Sequence, residues 1–318
     1  MPDWCFLLTD APFTARLNTF PTTSDCIMNY RIRISLLLIL LMAEQAMAEL
    51  VVWHRSPLDF GNFRYVYDIE VLRLALDKTR VTHGDYQLQA IPAASYARML
   101  HSLRNNTYPN MLLEISYDKE LEDSGELTYI NFPIELGIIG YRVCFVNPLV
   151  KDKIKQAKTL KDLLSYSMGQ GVGWADIGIL RHNGFTVTEV SNYTSLFRMV
   201  AGGRYDLLCR GANELMMEYE QYKHIGNLTY DDSFALVYRL PRFFYLSKKN
   251  PALKQRVEEG LKIAYTDGSL LALWSKHNLP SIQFTRLPTR KIFNLENPLI
   301  NGLPKDYEQY LIDPMTLK

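Results

Sequence analysis

Phe132-Pro133-Ile134-Glu135-Leu136-Gly137-Ile138-Ile139-Gly140-Tyr141-Arg142-Val143-Cys144-Phe145-Val146 reads as a single extended segment. It is longer than an ordinary strand needs, and Asn147-Pro148 stops it. A run of this length can leave one packed unit and enter another. Upstream, the chain alternates strand and helix. Leu50 to His54 is a short apolar strand, and Ser56 to Asn62 is a loop with Pro57 and Gly61. Tyr65, Ile69, Leu72 and Leu76 make one apolar stripe, which predicts a helix over 64–79. Tyr86 to Ile91 is a second strand, Ser95 an N-cap for a helix through Leu103, and Asn110 to Ser116 a third strand.

Downstream the alternation begins again. Thr159 opens a short helix through Tyr166, and Met168 to Val172 is a strand and turn. Asp176 to His182 is a helix stopped by Asn183-Gly184, Phe185 to Val190 is a strand, and Ser195 to Ala201 is helical. Tyr205 to Cys209 is a buried strand, with a helix over Asn213 to Tyr222 after it. Phe234 to Leu240 and Phe243 to Ser247, around Pro241, form a second extended pair that can carry the chain back. Asn250-Pro251 opens a helix to Thr266, Asp267-Gly268 breaks it, and Ser269 starts another through His277. The remainder, Leu279 to Lys318, with five prolines, reads as an irregular arm wrapped on a lobe. Such alternation predicts an α/β fold of two lobes, each a mostly parallel sheet flanked by helices, joined by two extended crossings. The first lobe takes 49–140 plus 242–318, and the second takes 141–241. The cleft between lobes is the expected ligand site, and the crossings are its hinge.

The N-terminus carries its own signal. Met28-Asn29-Tyr30-Arg31-Ile32-Arg33 is cationic, Ile34 to Ala43 is apolar, and Ala46-Met47-Ala48 supplies small residues. These are the parts of a cleavable export signal in order, so the working protein is expected to begin near Glu49, in the periplasm, the alternative being a leader kept as an N-terminal anchor. Residues 1–27 show no helical or strand period, and Met28 is the expected start. The whole chain has net charge +1 and 47% apolar residues. It has a core-forming composition without the basic stripe of a nucleic-acid binder. Of four cysteines only Cys144 and Cys209 follow the signal, both in apolar runs. A disulfide and two buried thiols remain equally open, because pairing depends on geometry.

Four motifs in this order resemble the family 3 solute-binding proteins of bacterial transport systems. They are the crossing Phe132-Pro133-Ile134…Gly137…Gly140-Tyr141-Arg142, the stretch Gly169-Gln170-Gly171…Trp174…Asp176…Ile179-Leu180…Asn183-Gly184-Phe185, the strand entry Gly203-Arg204-Tyr205-Asp206, and the break Asp267-Gly268-Ser269. The resemblance covers nearly all of the chain after Ala48, and is closest to a divergent subgroup known only as a transporter substrate-binding domain. It implies the type II periplasmic binding-protein fold, and a monomer that takes a small solute and serves a membrane permease or a sensor. Amino-acid-binding members carry an Arg just after the third strand and an acid just after the second-lobe strand. Here those places read Glu114-Ile115-Ser116-Tyr117-Asp118-Lys119-Glu120 and Arg210-Gly211-Ala212-Asn213-Glu214, so amino-acid specificity does not carry over.

Arg210 follows a buried strand directly and should emerge at its carboxyl end, where open α/β sheets hold ligands. A guanidinium there can grip a carboxylate or phosphate at two points, which favours a polar, anionic solute. The competing reading pairs it with Glu214 or Asp206. Asn213 and Glu214 share its loop. Trp174 can stack on a ligand or fill a lobe core, and Asp176 can cap its helix or face the cleft. Trp53, His54 and Arg55 end the first strand, and Tyr117 ends the third, all toward the same expected cleft. Glu218 and Glu220 read as a solvated helix face. A dinucleotide loop would need glycine where Trp174 stands. The six histidines form no helical ligand pair and the cysteines lack metal spacing. The chain carries no nucleophile elbow, phosphate-binding loop or zinc-protease motif, so no enzyme, cofactor or metal is expected. The rival readings are a secreted enzyme on the same scaffold, and a ligand-free domain that docks on another envelope protein.

Overall fold

The computed structural model describes residues 49–56 and 65–317. The expected export signal 28–48, the stretch before it and most of the loop Ser56–Asn62 lie outside the described residues. In chain order the strands are β1 (Leu50–His54), β2 (Tyr86–Ala90), β3 (Leu113–Ser116), β4 (Leu127–Tyr129), β5 (Tyr141–Val146) and β6 (Met168–Gly171), then β7 (Val187–Val190), β8 (Leu207–Gly211), β9 (Thr229–Tyr230), β10 (Phe234–Val237), β11 (Arg242–Ser247) and β12 (Lys291–Asn294).

The first lobe joins a parallel pair, β1–β2, to a three-stranded sheet ordered β3-β11-β4. Trp53 makes the join: its N–H donates to Asn110 O at 3.2 Å and its carbonyl accepts from Leu112 N–H at 2.9 Å. β11 runs antiparallel to both its neighbours, and the other strands share one direction. The second lobe is a larger sheet, ordered β12-β10-β5-β8-β6-β7 with β9 on β5, in which β5 alone runs against the rest. Most strands of each sheet thus share one direction, as the alternation of elements predicts, while every pairing of β11 and of β5 is antiparallel, so both sheets are mixed. Helix Val66–Lys78 covers the first sheet with Val71, Leu72, Ala75 and Leu76 buried, and helix Tyr193–Ala201 buries Leu196, Phe197 and Val200 in the second lobe.

Three expectations change in the structure. The segment Phe132–Val146 is extended only from Tyr141 onward; Leu136 and Gly137 take positive φ of 49° and 90°, and Ile138–Gly140 is a 3₁₀ turn. This folded stretch packs against the return crossing. Tyr238 N–H donates to Gly140 O at 3.1 Å, and a Cβ at Gly140 would stand 2.3 Å from Tyr238 O, so glycine is what lets the two crossings touch. Helix Ser269–Thr285 does not stop at His277 but runs through Pro280. Its buried Trp274, Asn278, Ser281 and Ile282 outweigh the missing N–H, since tertiary packing supplies most helix stability. Last, Lys291–Asn294 does not belong with the first lobe as 242–318 assumed. It pairs parallel with β10 and closes the edge of the second sheet, so the arm straps both lobes.

Among the described residues no helix is long and apolar enough to cross a membrane. Cys144 and Cys209, directly opposite on β5 and β8, form a disulfide.

Candidate ligand-binding cleft

The carboxyl ends of β1 and β3 from one sheet, and of β6 and β8 from the other, border a cleft of about 770 Å3. This is where open α/β sheets place ligands. Helix Tyr96–Asn105, capped by Ser95, brings Tyr96 to the first-lobe wall. Opposite it lies the turn after β6: a Cβ at Gly173 would meet the Tyr96 ring at 3.4 Å, so the two lobes face each other closely there. Within that turn Trp174 folds back over Gly171, where any Cβ would stand 2.4 Å from the indole. The indole then lies against the Arg210 guanidinium, 4.5 Å from carbon to ring centre.

Charges dominate the cleft. Arg55 bonds Glu114 at 2.7 Å and lies 4.2 Å over the Tyr65 ring. Arg142 bonds Asp176 at 2.7 Å, accompanies Glu214 at 3.6 Å, and donates to the Tyr238 hydroxyl at 3.0 Å. The Tyr238 hydroxyl in turn donates to Asp176. Arg210 grips Glu218 with Nε and one terminal nitrogen and reaches Glu214 at 2.7 Å. Arg242 stands 3.3 Å from Glu135. Burial alone would lower the Arg210 pKa, but Glu214 and Glu218 outweigh it and hold it well above its ordinary value.

Beneath the cleft, at the hinge, Glu135 also accepts from Asn213 of the second lobe at 3.3 Å. Burial, reinforced by Glu214 and Glu114 against the pull of Arg242, pushes Glu135 up to about 7. Asp68 is 1% exposed with both oxygens lacking a hydrogen bond, and burial followed by Glu135 and Glu114 raises it well above the carboxylate range. A folded state that keeps the Glu135 proton to about pH 7, against 4.5 for the unfolded chain, binds more protons in that window. Stability therefore falls as pH rises from about 4.5 to about 7. The loss should be roughly 3 kcal/mol from this group, with Asp68 adding in the same direction. Urea midpoints at pH 5, 6 and 7 test it: Glu135→Gln should show a flatter pH profile than the parent, and an unchanged slope would refute the assignment.

Five of the nine residues expected at the site line the cleft: Arg55, Trp174, Asp176, Arg210 and Glu214. The other four do not. Trp53 is half-buried and packs its ring 5.1 Å from Tyr108, against the first-lobe core. His54 turns its Nδ1 to its neighbour's carbonyl, Arg55 O, at 2.7 Å, and burial lowers its pKa. Tyr117 is 1% exposed, edge-on to Tyr129 and Phe243, with its hydroxyl donating to Glu122 at 2.6 Å. Asn213 serves the hinge carboxylate rather than the cleft. Asp176 is neither a cap nor free: it opens its helix at the first turn and spends its carboxylate on Arg142. Glu218 is 2% exposed and bound to Arg210, so the expected solvated face holds only for Glu220. Sequence reading missed Tyr96, Glu114 and Arg142 as wall residues. Glu114 and Arg142 did carry a signal, a lone charge inside an otherwise apolar strand.

No protein-family model matches the chain and no curated protein matches it. Its fold does match solved structures. The ligand-binding core of GluR0 with L-glutamate aligns at 13% identity over 74% of this chain and 99% of its own, with TM-score 0.54. An ancestral arginine-binding protein bound to arginine aligns at 15% identity over 73% and 99%, with TM-score 0.53. A histidine kinase sensor domain similar to periplasmic binding proteins aligns at 16% over 72% and 96%, with TM-score 0.51. The chain therefore has the two-lobed periplasmic binding-protein fold of type II.

Proposed function

We propose that this protein is an exported solute-binding protein, working as a periplasmic monomer after removal of 28–48, that closes two lobes over a small polar molecule. The observation that carries the reading is a cleft of about 770 Å3 walled by strand ends of both sheets, with aromatic faces and buried charges converging on it. Such a volume suits a small organic ligand. The two touching crossings at Gly140 and Tyr238 are the hinge. The lobes that move are 49–140 with most of 242–318, and 141–241 with the strap strand. The fold's solved relatives include binders of arginine and glutamate and a sensor domain, so capture here serves either a permease or a sensor. Binding, with no bond made or broken, is the chemistry proposed.

Thermal shift against amino acids, organic acids, phosphorylated metabolites and amines tests the reading. A ligand at a hundred times its Kd stabilises by about 2.7 kcal/mol, which is on the order of 5–10 °C in a chain of this size. If every compound leaves the melting temperature of the folded protein unchanged, capture fails, and the rival roles of docking domain or secreted enzyme take its place.

A further inference from the structure

The expectation of an anionic solute rested on a guanidinium free to receive it. Among the described residues, the arginines that line the cleft are Arg55, Arg142, Arg210 and Arg242, and every one already has a carboxylate within 3.3 Å. An anion would have to displace a buried carboxylate and leave it without its counter-charge, which is strongly unfavourable in a protein interior. The lining holds six carboxylates against these four guanidiniums. Glu189 is offset by Arg181 at 3.0 Å. Among the described residues, Asp118 and Glu120 have no cation within ion-pairing distance, although Asp118 accepts the Glu120 N–H at 2.8 Å. Both belong to the first-lobe wall beside Tyr96, whose hydroxyl pKa is raised chiefly by burial, with Arg55 acting against it and Asp118 and Glu114 adding to it. An aromatic face next to uncompensated carboxylates attracts a cation both through the ring quadrupole and by charge.

We infer that the cleft selects a small organic cation, an amine or guanidinium that carries no acidic group, held between the Tyr96 face and the Asp118–Glu120 rim. This rests on the capture reading above. Among the described cleft arginines, the one with room for the carboxylate of a zwitterion is Arg242, which is 3.3 Å from Glu135 and whose Nε lacks a hydrogen bond. Comparing arginine with its decarboxylated form therefore decides the question.

Titration calorimetry of the purified protein should use agmatine, putrescine, arginine, glutamate and inorganic phosphate. Agmatine or putrescine should bind saturably, arginine at least tenfold more weakly than agmatine, and glutamate and phosphate not at all. Asp118→Asn with Glu120→Gln should weaken agmatine about tenfold, and added salt should weaken it further. Arginine, glutamate or phosphate binding as tightly as agmatine overturns the cation assignment while leaving capture intact. So does agmatine binding that ignores the double substitution. Failure of every probe, and of the broader panel, removes the capture reading itself and the cation assignment with it.

Discussion

Arg210→Ala is expected to lower the melting temperature by on the order of 10 °C and to abolish solute capture. The guanidinium is 3% exposed and forms a two-point bond to Glu218, itself 2% exposed, with a further bond to Glu214. Alanine removes the one positive charge that sits between these two acids. Glu214 keeps Arg142 at 3.6 Å and the Gly211 N–H at 2.8 Å, so the larger loss falls on Glu218, which keeps the Tyr193 hydroxyl but loses its two-point guanidinium contact. Breaking a buried pair from one side costs about 3–5 kcal/mol, and each kcal/mol is worth about 2–4 °C here. The indole of Trp174, which rests on the guanidinium, loses its support at the same time. Arg210→Lys keeps the charge without the fork and should fall between. Arg210→Ala with Glu218→Gln removes both charges together and should recover much of the loss. Thermal melts of the three variants decide: if the double variant is no more stable than Arg210→Ala, the cost is packing and the buried pair is not its source.

The sequence disclosed the order of elements and the place of the cleft, because both follow from hydrophobic period and from where strands end. It disclosed much less about what the wall residues do. Arg210 was found by position and Glu214 was named as a partner, but its second partner, Glu218, was read with Glu220 as solvated, because the two look alike on a helix of unknown orientation. Their fates differ only because β8 and the helix Leu215–Tyr222 bring Glu218 to the guanidinium side. Tyr117 and Trp53 fail for a related reason. Both stand at strand ends near the cleft, but Trp53 packs on Tyr108 and Tyr117 on Tyr129 and Phe243, contacts between distant segments that local spacing does not reveal. The strap strand Lys291–Asn294 was hidden among prolines, and its pairing with β10 is a long-range contact that no local pattern encodes. The lone charges in apolar strands were the most informative feature. Glu114, Arg142 and Arg210 each interrupt a buried run, and all three line the cleft.

Replacing both cysteines is expected to cost nearly as much as losing Arg210. Cys144 and Cys209 are 65 residues apart, and their bridge closes most of the second lobe into one loop. Loop-closure entropy for that length gives about 4 kcal/mol, so Cys144→Ala with Cys209→Ala should also melt on the order of 10 °C lower. Both cysteines are within 1% of full burial, so reductant alone should act slowly on the folded protein and fully once urea exposes the bond. The bridge sits between the cleft's two second-lobe arginines: in the same pairing Arg142 lies opposite Gly211 and Arg210 opposite Val143. Losing it should therefore weaken solute binding as well as stability. Urea unfolding with and without dithiothreitol separates the outcomes. The parent should lose its midpoint in reductant and the double alanine variant should be indifferent to it; a parent equally stable in both would mean the thiols do not pair. The same bond bears on where the protein works, because such disulfides form in oxidising compartments. Chain made with the proposed export signal 28–48 and exported should therefore yield the bridged, stable form. Chain made from Glu49 in a reducing cytoplasm should match the double alanine variant until it is oxidised.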